Sequence, residues 1–214
     1  IRNLYDLNPW RATVGFGYQA FPKTSFFGEI YYGQTATTPN FDAPKNPHVS
    51  FIGGFLGVRG QFTEKLSGVA KAGYESREFS DKTPAPSAPV VNVSLNHRLS
   101  RKTSITLDYS RLNEVSIQFA RESYTADTVS AHLAQMLGSN GKWRGSLGGS
   151  YSRIEYESGS APYGRYSANF GLAYQIQLWL SASLGYSFDR IQYVAVGSSG
   201  YDINRVTLGL AVGY

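Results

Sequence analysis

The sequence has 214 residues, of which 42% are hydrophobic, 16% charged and 14% aromatic, and it contains no cysteine. The lack of cysteine excludes disulfides, thiolate metal sites and cysteine nucleophiles. The formal net charge is +5, but lysine and arginine are scattered and form no basic run, which argues against nucleic-acid binding. The sequence has no run of about 18 apolar residues and therefore predicts no transmembrane helix.

Apolar residues alternate with small or polar residues along the whole chain, and this period of two indicates β-strands. The pattern predicts one domain, residues 1–214, with about eleven strands of roughly ten residues, long enough to cross a bilayer when tilted. The candidate lipid-facing positions are, in chain order, Val14, Phe16, Tyr18; Phe26, Ile30, Tyr32; Ile52, Leu56, Val58, Phe62; Leu66, Ala70, Ala72, Tyr74; Val91, Val93, Leu95; Ile105, Leu107, Tyr109; Val129, Ala131, Leu133; Trp143, Leu147, Tyr151; Tyr166, Phe170, Leu172, Tyr174; Leu180, Leu184, Tyr186; and Val206, Leu208, Leu210, Val212.

The predicted connections alternate between short and long. Short ones lie at residues 21–24, 63–65, 100–103, 138–141 and 175–177, and long ones at 34–47, 80–89, 112–122, 157–164 and 192–200. Short periplasmic turns and long external loops are typical of outer-membrane barrels. The sequence therefore predicts an all-β fold, an antiparallel up-and-down transmembrane β-barrel in a bacterial outer membrane.

The predicted orientation puts Tyr214 on the periplasmic side and Ile1 on the external side. Bacterial single-chain barrels have even strand numbers, so an odd count of eleven suggests that N-terminal strands of a larger even-stranded barrel are missing. On this interpretation residues 1–10 are the end of a loop.

Charged residues fall mainly on the strand face opposite the lipid-facing set, and we predict that this face lines a lumen. The residues concerned are Arg59, Lys71, Arg98, Arg144, Arg205, Glu29, Glu75, Asp108 and Asp189. A charge facing lipid at mid-bilayer costs about 2–4 kcal/mol, which supports the assignment of the two faces. In a wide barrel the basic excess would favour anionic solutes, whereas in a narrow one the charges would pair and close the lumen.

Four strands end near a long loop in a tyrosine followed closely by an arginine, within residues 73–79, 108–111, 150–156 and 185–190. We hypothesise that Arg111, Arg153 and Arg190 contact lipopolysaccharide phosphates above a belt of aromatic side chains; a solvated strand end is the alternative. The last strand carries Val206, Leu208, Leu210, Val212 and Tyr214 on one face, and it resembles the C-terminal signal read by the barrel assembly machinery.

Three segments resemble the family described as Putative beta-barrel porin 2. They are residues 73–79 (GYESREF), 91–103 (VNVSLNHRLSRKT) and 204–210 (NRVTLGL). The resemblance extends from about Trp10 to Tyr214. It implies an outer-membrane barrel, and members of this family are often associated with exopolysaccharide or capsule systems.

Taken together, these features predict a channel for solutes or an accessory to exopolysaccharide export, without catalysis or cofactor. The expected partners are outer-membrane lipid, lipopolysaccharide, the assembly machinery and anionic solutes or polysaccharide. A structural or adhesive barrel that acts through its loops is the alternative. An outer-membrane hydrolase or acyltransferase is a lesser one, for which Ser130 and His132 share a face. No metal-ligand cluster or nucleotide-binding motif is visible.

Overall fold

The computed structural model describes residues 5–39, 47–82, 87–116, 119, 121–157, 162–193 and 200–213. Eleven strands occupy these ranges: β1 Tyr5–Phe21, β2 Thr24–Pro39, β3 Val49–Gln61, β4 Leu66–Phe79, β5 Ala88–Arg98, β6 Thr103–Val115, β7 Ser123–Leu137, β8 Trp143–Tyr156, β9 Tyr163–Gln177, β10 Leu180–Tyr193 and β11 Tyr201–Val212. Each strand pairs with the next along the chain in a single sheet, and every pairing is antiparallel. The predicted all-β, sequential antiparallel fold is therefore confirmed. No helix long and apolar enough to span a membrane lies in the described ranges.

The two faces of the sheet differ in exposure as the alternation predicts. The outer face carries the large exposed apolar side chains, for example Val14, Leu56 and Leu208, which is 79% exposed. Antiparallel partners share a face, and Leu184 of β10 lies directly opposite Leu208 of β11. Exposed apolar surface on this scale is what a lipid-facing wall requires.

Aromatic pairs lie near both ends of the outer face. Trp10 packs edge-on against Tyr32 where β1 and β2 approach the long connections, with ring centroids 5.7 Å apart. Trp143 and Tyr174 pair beside the opposite ends of β8 and β9, with centroids 4.4 Å apart. Two such belts are expected where a barrel wall meets the two membrane interfaces.

Several strands extend further than the sequence predicts. Residues 5–10 were predicted as loop, but they belong to β1 and pair with residues 34–39 of β2. Likewise, β6 continues to Val115, inside the predicted loop 112–122, because it pairs with β7 as far as Ser123. The alternation did not identify Pro9 as a strand residue. Proline has no backbone N–H, but it is tolerated in an edge strand such as β1. The turn predicted at 175–177 lies instead at residues 178–179.

The two outermost strands, β1 and β11, each pair on one side only, and no pairing between them occurs in the described residues. In a bilayer their free backbone groups need partners. Both strands run from the long-connection end of the sheet to the short-turn end, so direct pairing between them would be parallel. An odd number of additional strands would pair antiparallel with both, and the larger even-stranded barrel stays a prediction.

Candidate functional site: the inner face of the sheet

All nine charged residues predicted for the lumen lie on the inner face, as the strand registers show. Lys71 lies opposite Gly57, and its Nζ is 3.7 Å from Oε2 of Glu29. Asp189 accepts hydrogen bonds from Nε and Nη2 of Arg165 at 3.2 and 2.8 Å. The structure thus pairs Lys71 with Glu29 and Asp189 with Arg165 on this face. One of the partners, Arg165, was absent from the predicted set.

A buried polar cluster lies on the inner face of β2 and β4, towards the long connections. The hydroxyl of Tyr31, which is 2% exposed, donates to Glu75 at 2.8 Å, and Arg77 Nε donates to the other carboxylate oxygen at 2.6 Å. The Arg11 guanidinium lies 3.6 Å from the centroid of the Tyr31 ring. A buried carboxylate is stabilised when both its oxygens accept hydrogen bonds and a cation lies beside it.

Aromatic side chains surround this cluster. Tyr31 stacks on Phe55 with centroids 5.3 Å apart, and Phe51 and Val90 complete the buried group. Lys71 and Arg77 lie over the rings of Phe55 and Phe51 at 4.5 and 5.5 Å. The inner wall of β2–β4 is therefore a packed aromatic and basic core at this level, and these aromatic rings are not available for stacking with a solute.

The sequence missed this core because β2 and β3 carry apolar residues on both faces. Phe27 and Tyr31 have the parity opposite to Phe26 and Ile30, and only charged residues were assigned a role on that parity, so these two aromatic residues received none. Arg77 was missed because its tyrosine neighbour Tyr74 lies three positions away, on the other face. Assigning every charged and aromatic residue to a face by its odd or even position along the strand would have placed Phe27, Tyr31 and Arg77 on the inner face.

The tip of the β6–β7 hairpin packs against the inner face of β3 and β4. Val115 of β6 forms a buried cluster with Val49 of β3 and Phe79 of β4. β5 begins at Ala88, opposite Glu75, so no β5 residue lies opposite Arg77. Arg77 Nη2 can therefore reach past β5 and donate to the backbone carbonyl of Asn113. The tip thus covers part of the inner face at this end.

Small polar side chains line the middle of the inner face from β5 to β9. Asp108 accepts hydrogen bonds from Ser94 at 2.6 Å and Ser130 at 3.3 Å. Further across the sheet, Ser150 and Ser167 hydroxyls are 2.6 Å apart. Hydroxyls and a carboxylate in such a row form a hydrophilic wall that can exchange hydrogen bonds with water or a polar solute.

His132 lies on this wall, but it forms no hydrogen bond with Ser130 in the described residues. Ser130 donates instead to Asp108, and His132 faces Thr106 and Gly148 in the strand register. The described residues also contain no group of three histidine, aspartate or glutamate side chains that could hold a metal ion. Ser130 and His132 share a face, as predicted, with the Ser130 hydroxyl directed to Asp108.

Positive charge is concentrated at the short-turn end. The five short turns, together with the three strand residues next to each, contain one acidic residue, Glu64, and eight basic ones: Lys23, Arg59, Lys65, Arg98, Arg101, Lys102, Lys142 and Arg144. None of these eight forms an ion pair with another described residue, whereas every ion pair described involves residues further towards the long connections. Unpaired positive charge is thus concentrated at the short-turn end, whereas the ion pairs of the described residues lie further towards the long connections.

The three arginines predicted to meet lipopolysaccharide lie on the outer face, and each pairs with a carboxylate. Arg111 is 3.4 Å from Asp127, Arg153 forms an ion pair with Glu155, and Arg190 pairs with Asp202. Asp127 also accepts a hydrogen bond from Tyr109 and lies opposite Arg153 in the register. Arg111, Arg153, Arg190 and their carboxylate partners form a charged band above the outer tyrosines, which we call the outer band. Contact of the outer band with lipopolysaccharide stays a prediction.

The proposed assembly signal lies on the outer face of β11. Val206, Leu208, Leu210 and Val212 alternate with inner-face residues such as Arg205 and Thr207, and all four are exposed. Tyr214 lies outside the described residues. Recognition by the assembly machinery stays a prediction.

Comparison with protein families identifies the chain. The family model described as Putative beta-barrel porin 2 matches residues 6–214. The chain belongs to this family. Its fold is similar to that of OmpT (in-vitro folded), an outer membrane protein of Vibrio cholerae, with a TM-score of 0.52 and 11% identity; the match covers 97% of this chain and 96% of that chain. At that identity the likeness shows the fold alone. No curated protein is significantly similar in sequence.

The family and the structural match together establish an outer-membrane β-barrel of porin type. The predicted fold, family and outer-membrane localisation are confirmed. The specific solute, and any link to exopolysaccharide, is a separate question.

Proposed function

We propose that this porin forms a water-filled channel that favours anionic solutes. The observation that carries the proposal is the set of arginines on the inner face without a carboxylate partner among the described residues, namely Arg11, Arg59, Arg98, Arg144 and Arg205. All five are exposed. Unpaired charges that line a pore attract counter-ions and raise their local concentration.

Conductance in planar bilayers tests the proposal. We expect the native protein to conduct and to show an anion preference in a salt gradient. Replacing Arg59, Arg98 and Arg144 by glutamine should lower the ratio of anion to cation permeability several-fold. The matched control replaces Arg111, Arg153 and Arg190 of the outer face by glutamine, which removes the same charge and should leave the ratio unchanged. Equal effects of the two triple variants would contradict a lumen origin.

The hydroxyl-rich wall supports a second candidate, passage of a neutral polar polymer such as a polysaccharide. Asn96 donates to Thr106 at 3.0 Å, and Thr128 donates to Ser152 at 2.9 Å, so amide and hydroxyl groups continue the row around Asp108. Such groups can replace the hydration of sugar hydroxyls. Partial block of the ion current by neutral oligosaccharides, unaffected by the arginine substitutions, would favour this candidate.

The packed tip of the β6–β7 hairpin supports a third candidate function, a structural or adhesive barrel that acts through its loops. It covers inner-face residues Val49 and Phe79. Absence of conductance from correctly folded native protein would favour this candidate over both channels.

A further inference from the structure

A cleft at the short-turn end is lined by four basic residues, four neutral polar residues, and Ala134, Met136 and Gly145. It has a volume of about 330 Å³ and lies between the β5–β6 turn and the start of β8. Arg98, Arg101, Lys102 and Arg144 all line it, and no carboxylate does. Four cations around one concavity without an acid produce a strong positive potential.

Backbone carbonyls position two of these cations without neutralising them. Arg98 Nη2 donates to the carbonyl of Glu64 at 2.8 Å, and Lys102 Nζ donates to the carbonyl of Gly138 at 2.7 Å. A carbonyl oxygen satisfies one N–H donor but carries no formal charge. The side chains therefore keep both their positive charge and their remaining donors for a ligand.

A chain of polar side chains fixes the wall of the cleft. The Ser100 hydroxyl donates to Thr103 at 2.9 Å, and the Thr103 hydroxyl donates to Gln135 at 3.0 Å. The Lys102 backbone N–H donates to the Ser100 hydroxyl at 3.1 Å. These bonds tie the β5–β6 turn to β7, so the cations are held on a common frame before any ligand arrives, which lowers the entropy lost on binding.

The inner-face parity of Arg98 and Arg144 favours a soluble ligand over a lipid headgroup. Arg98 lies opposite Ser104, and Arg144 opposite Ala173, both on the inner face. Guanidinium groups bind phosphate and carboxylate through two parallel hydrogen bonds. We propose that this cleft binds a soluble solute carrying two or more negative charges, of the phosphate or carboxylate class, at the short-turn mouth of the lumen. The proposal rests on the channel function, because the cleft would act on solutes that pass through the mouth of that lumen.

Binding of inorganic pyrophosphate is the test. The folded protein in phosphatidylcholine nanodiscs is titrated calorimetrically at low ionic strength. We expect saturable binding that weakens as salt screens the charges. The double variant Arg98→Gln/Arg144→Gln should bind at least about tenfold more weakly, because two charge-assisted contacts are lost. The control Lys23→Gln/Lys65→Gln removes the same charge from turns outside the cleft and should stay within about threefold of native protein.

Four outcomes would overturn the proposal: no saturable binding to native protein, equal weakening in both double variants, unchanged binding in the cleft variant, or loss of native binding when phosphatidylglycerol replaces phosphatidylcholine. The last result would assign the cleft to a lipid phosphate. If the cleft variant does not fold, Arg101→Gln/Lys102→Gln tests the same cleft.

Measurement of bilayer conductance distinguishes a failure of the cleft proposal from a failure of the channel proposal. Specific pyrophosphate binding to a protein that does not conduct would support the cleft and contradict the channel. Anion-selective conductance with unchanged pyrophosphate binding in the cleft variant would do the reverse.

Discussion

Arg190 and Asp202 form a two-point ion pair across the last hairpin on the outer face. Arg190 Nε donates to Oδ1 of Asp202 at 2.8 Å, and Nη2 donates to Oδ2 at 2.7 Å. The two residues are register partners on β10 and β11, so the backbone places them side by side. Because both side chains are exposed, the pair itself adds little stability, and its charges remain accessible to ligands.

The outer band gives a test of lipopolysaccharide contact. Replacing Arg111, Arg153 and Arg190 by glutamine leaves their carboxylate partners uncompensated, and negative carboxylates repel lipid phosphates. We expect the triple variant to carry several-fold less co-purified lipopolysaccharide, measured by phosphate analysis after gentle extraction. The triple lumen variant at Arg59, Arg98 and Arg144 serves as the control and should retain native levels. Unchanged lipid in the outer variant would show that these arginines are merely solvated strand ends.

Arg77 gives a prediction about stability. It contacts Glu75 and the Asn113 carbonyl, and the Arg77 and Glu75 side chains are only 10% and 8% exposed. Arg77→Met removes the cation and leaves a buried carboxylate without its ion-pair partner. We expect a loss of about 3–5 kcal/mol in the free energy of unfolding, measured by urea titration in detergent micelles.

The conservative comparison for this site is Glu75→Gln, which keeps one acceptor oxygen and therefore one of the two hydrogen bonds from Tyr31 and Arg77. It should lose less stability than Arg77→Met. Releasing the β6–β7 tip should also increase single-channel conductance in the Arg77→Met variant. A stability loss below about 1 kcal/mol would indicate that water reaches the cluster and screens it.

The alternation of the sequence was sufficient to predict the eleven strands and the two faces, because burial against lipid on one side and water on the other imposes a strict period of two. The alternation was insufficient where the inner face does not meet water. Near Tyr31 and Phe55 the inner face is itself packed and apolar, so residues of both parities are apolar. Arg77 and Asn113 meet only because β5 is short, and relative strand length is decided by pairing between strands, which no local pattern encodes.

The charge asymmetry could have been read from the sequence once the turns were assigned. Arg101, Lys102 and Lys142 lie within predicted short turns or next to them. A grouping of charges by face alone does not give their height along the strand, so the concentration of unpaired cations at the short turns emerges only with the register. The cleft between Arg98 and Arg144 depends on three intervening strand pairings and was beyond sequence reasoning.

Gly73 gives a prediction about strand packing. A Cβ at this position would lie far inside van der Waals contact with the carbonyl oxygen of Gly54 on the adjoining strand. Gly73→Ala must push β3 and β4 apart, at about 1–3 kcal/mol or more. We expect a lower folded fraction in the gel-mobility assay for heat-modifiable barrels. The control Gly17→Ala, whose Cβ would meet nothing nearer than 3.9 Å, should fold as the native protein does.

Neighbouring positions of β11 test the assignment of the faces. Leu208 is on the outer face and Thr207 on the inner face, where it lies opposite Gly185. Leu208→Arg puts a charge against lipid and should reduce the free energy of folding into phosphatidylcholine vesicles by about 2–4 kcal/mol. Thr207→Arg carries the same charge into the lumen and should have a much smaller effect. The reverse order would mean that the faces have been assigned the wrong way round.

A recognition role for the last strand predicts a difference between folding in vesicles and assembly in cells. Leu208→Ala shortens one exposed outer-face side chain, so unassisted folding should lose no more than the transfer free energy of that side chain, about 1.5–3 kcal/mol. If the assembly machinery reads the apolar row of β11, the same variant should show several-fold less folded barrel in isolated outer membranes. Leu184→Ala is the matched control, because Leu184 is the register partner of Leu208 on the same face but belongs to β10. Equal yields of the two variants in cells would mean that the row acts only as a lipid-facing surface.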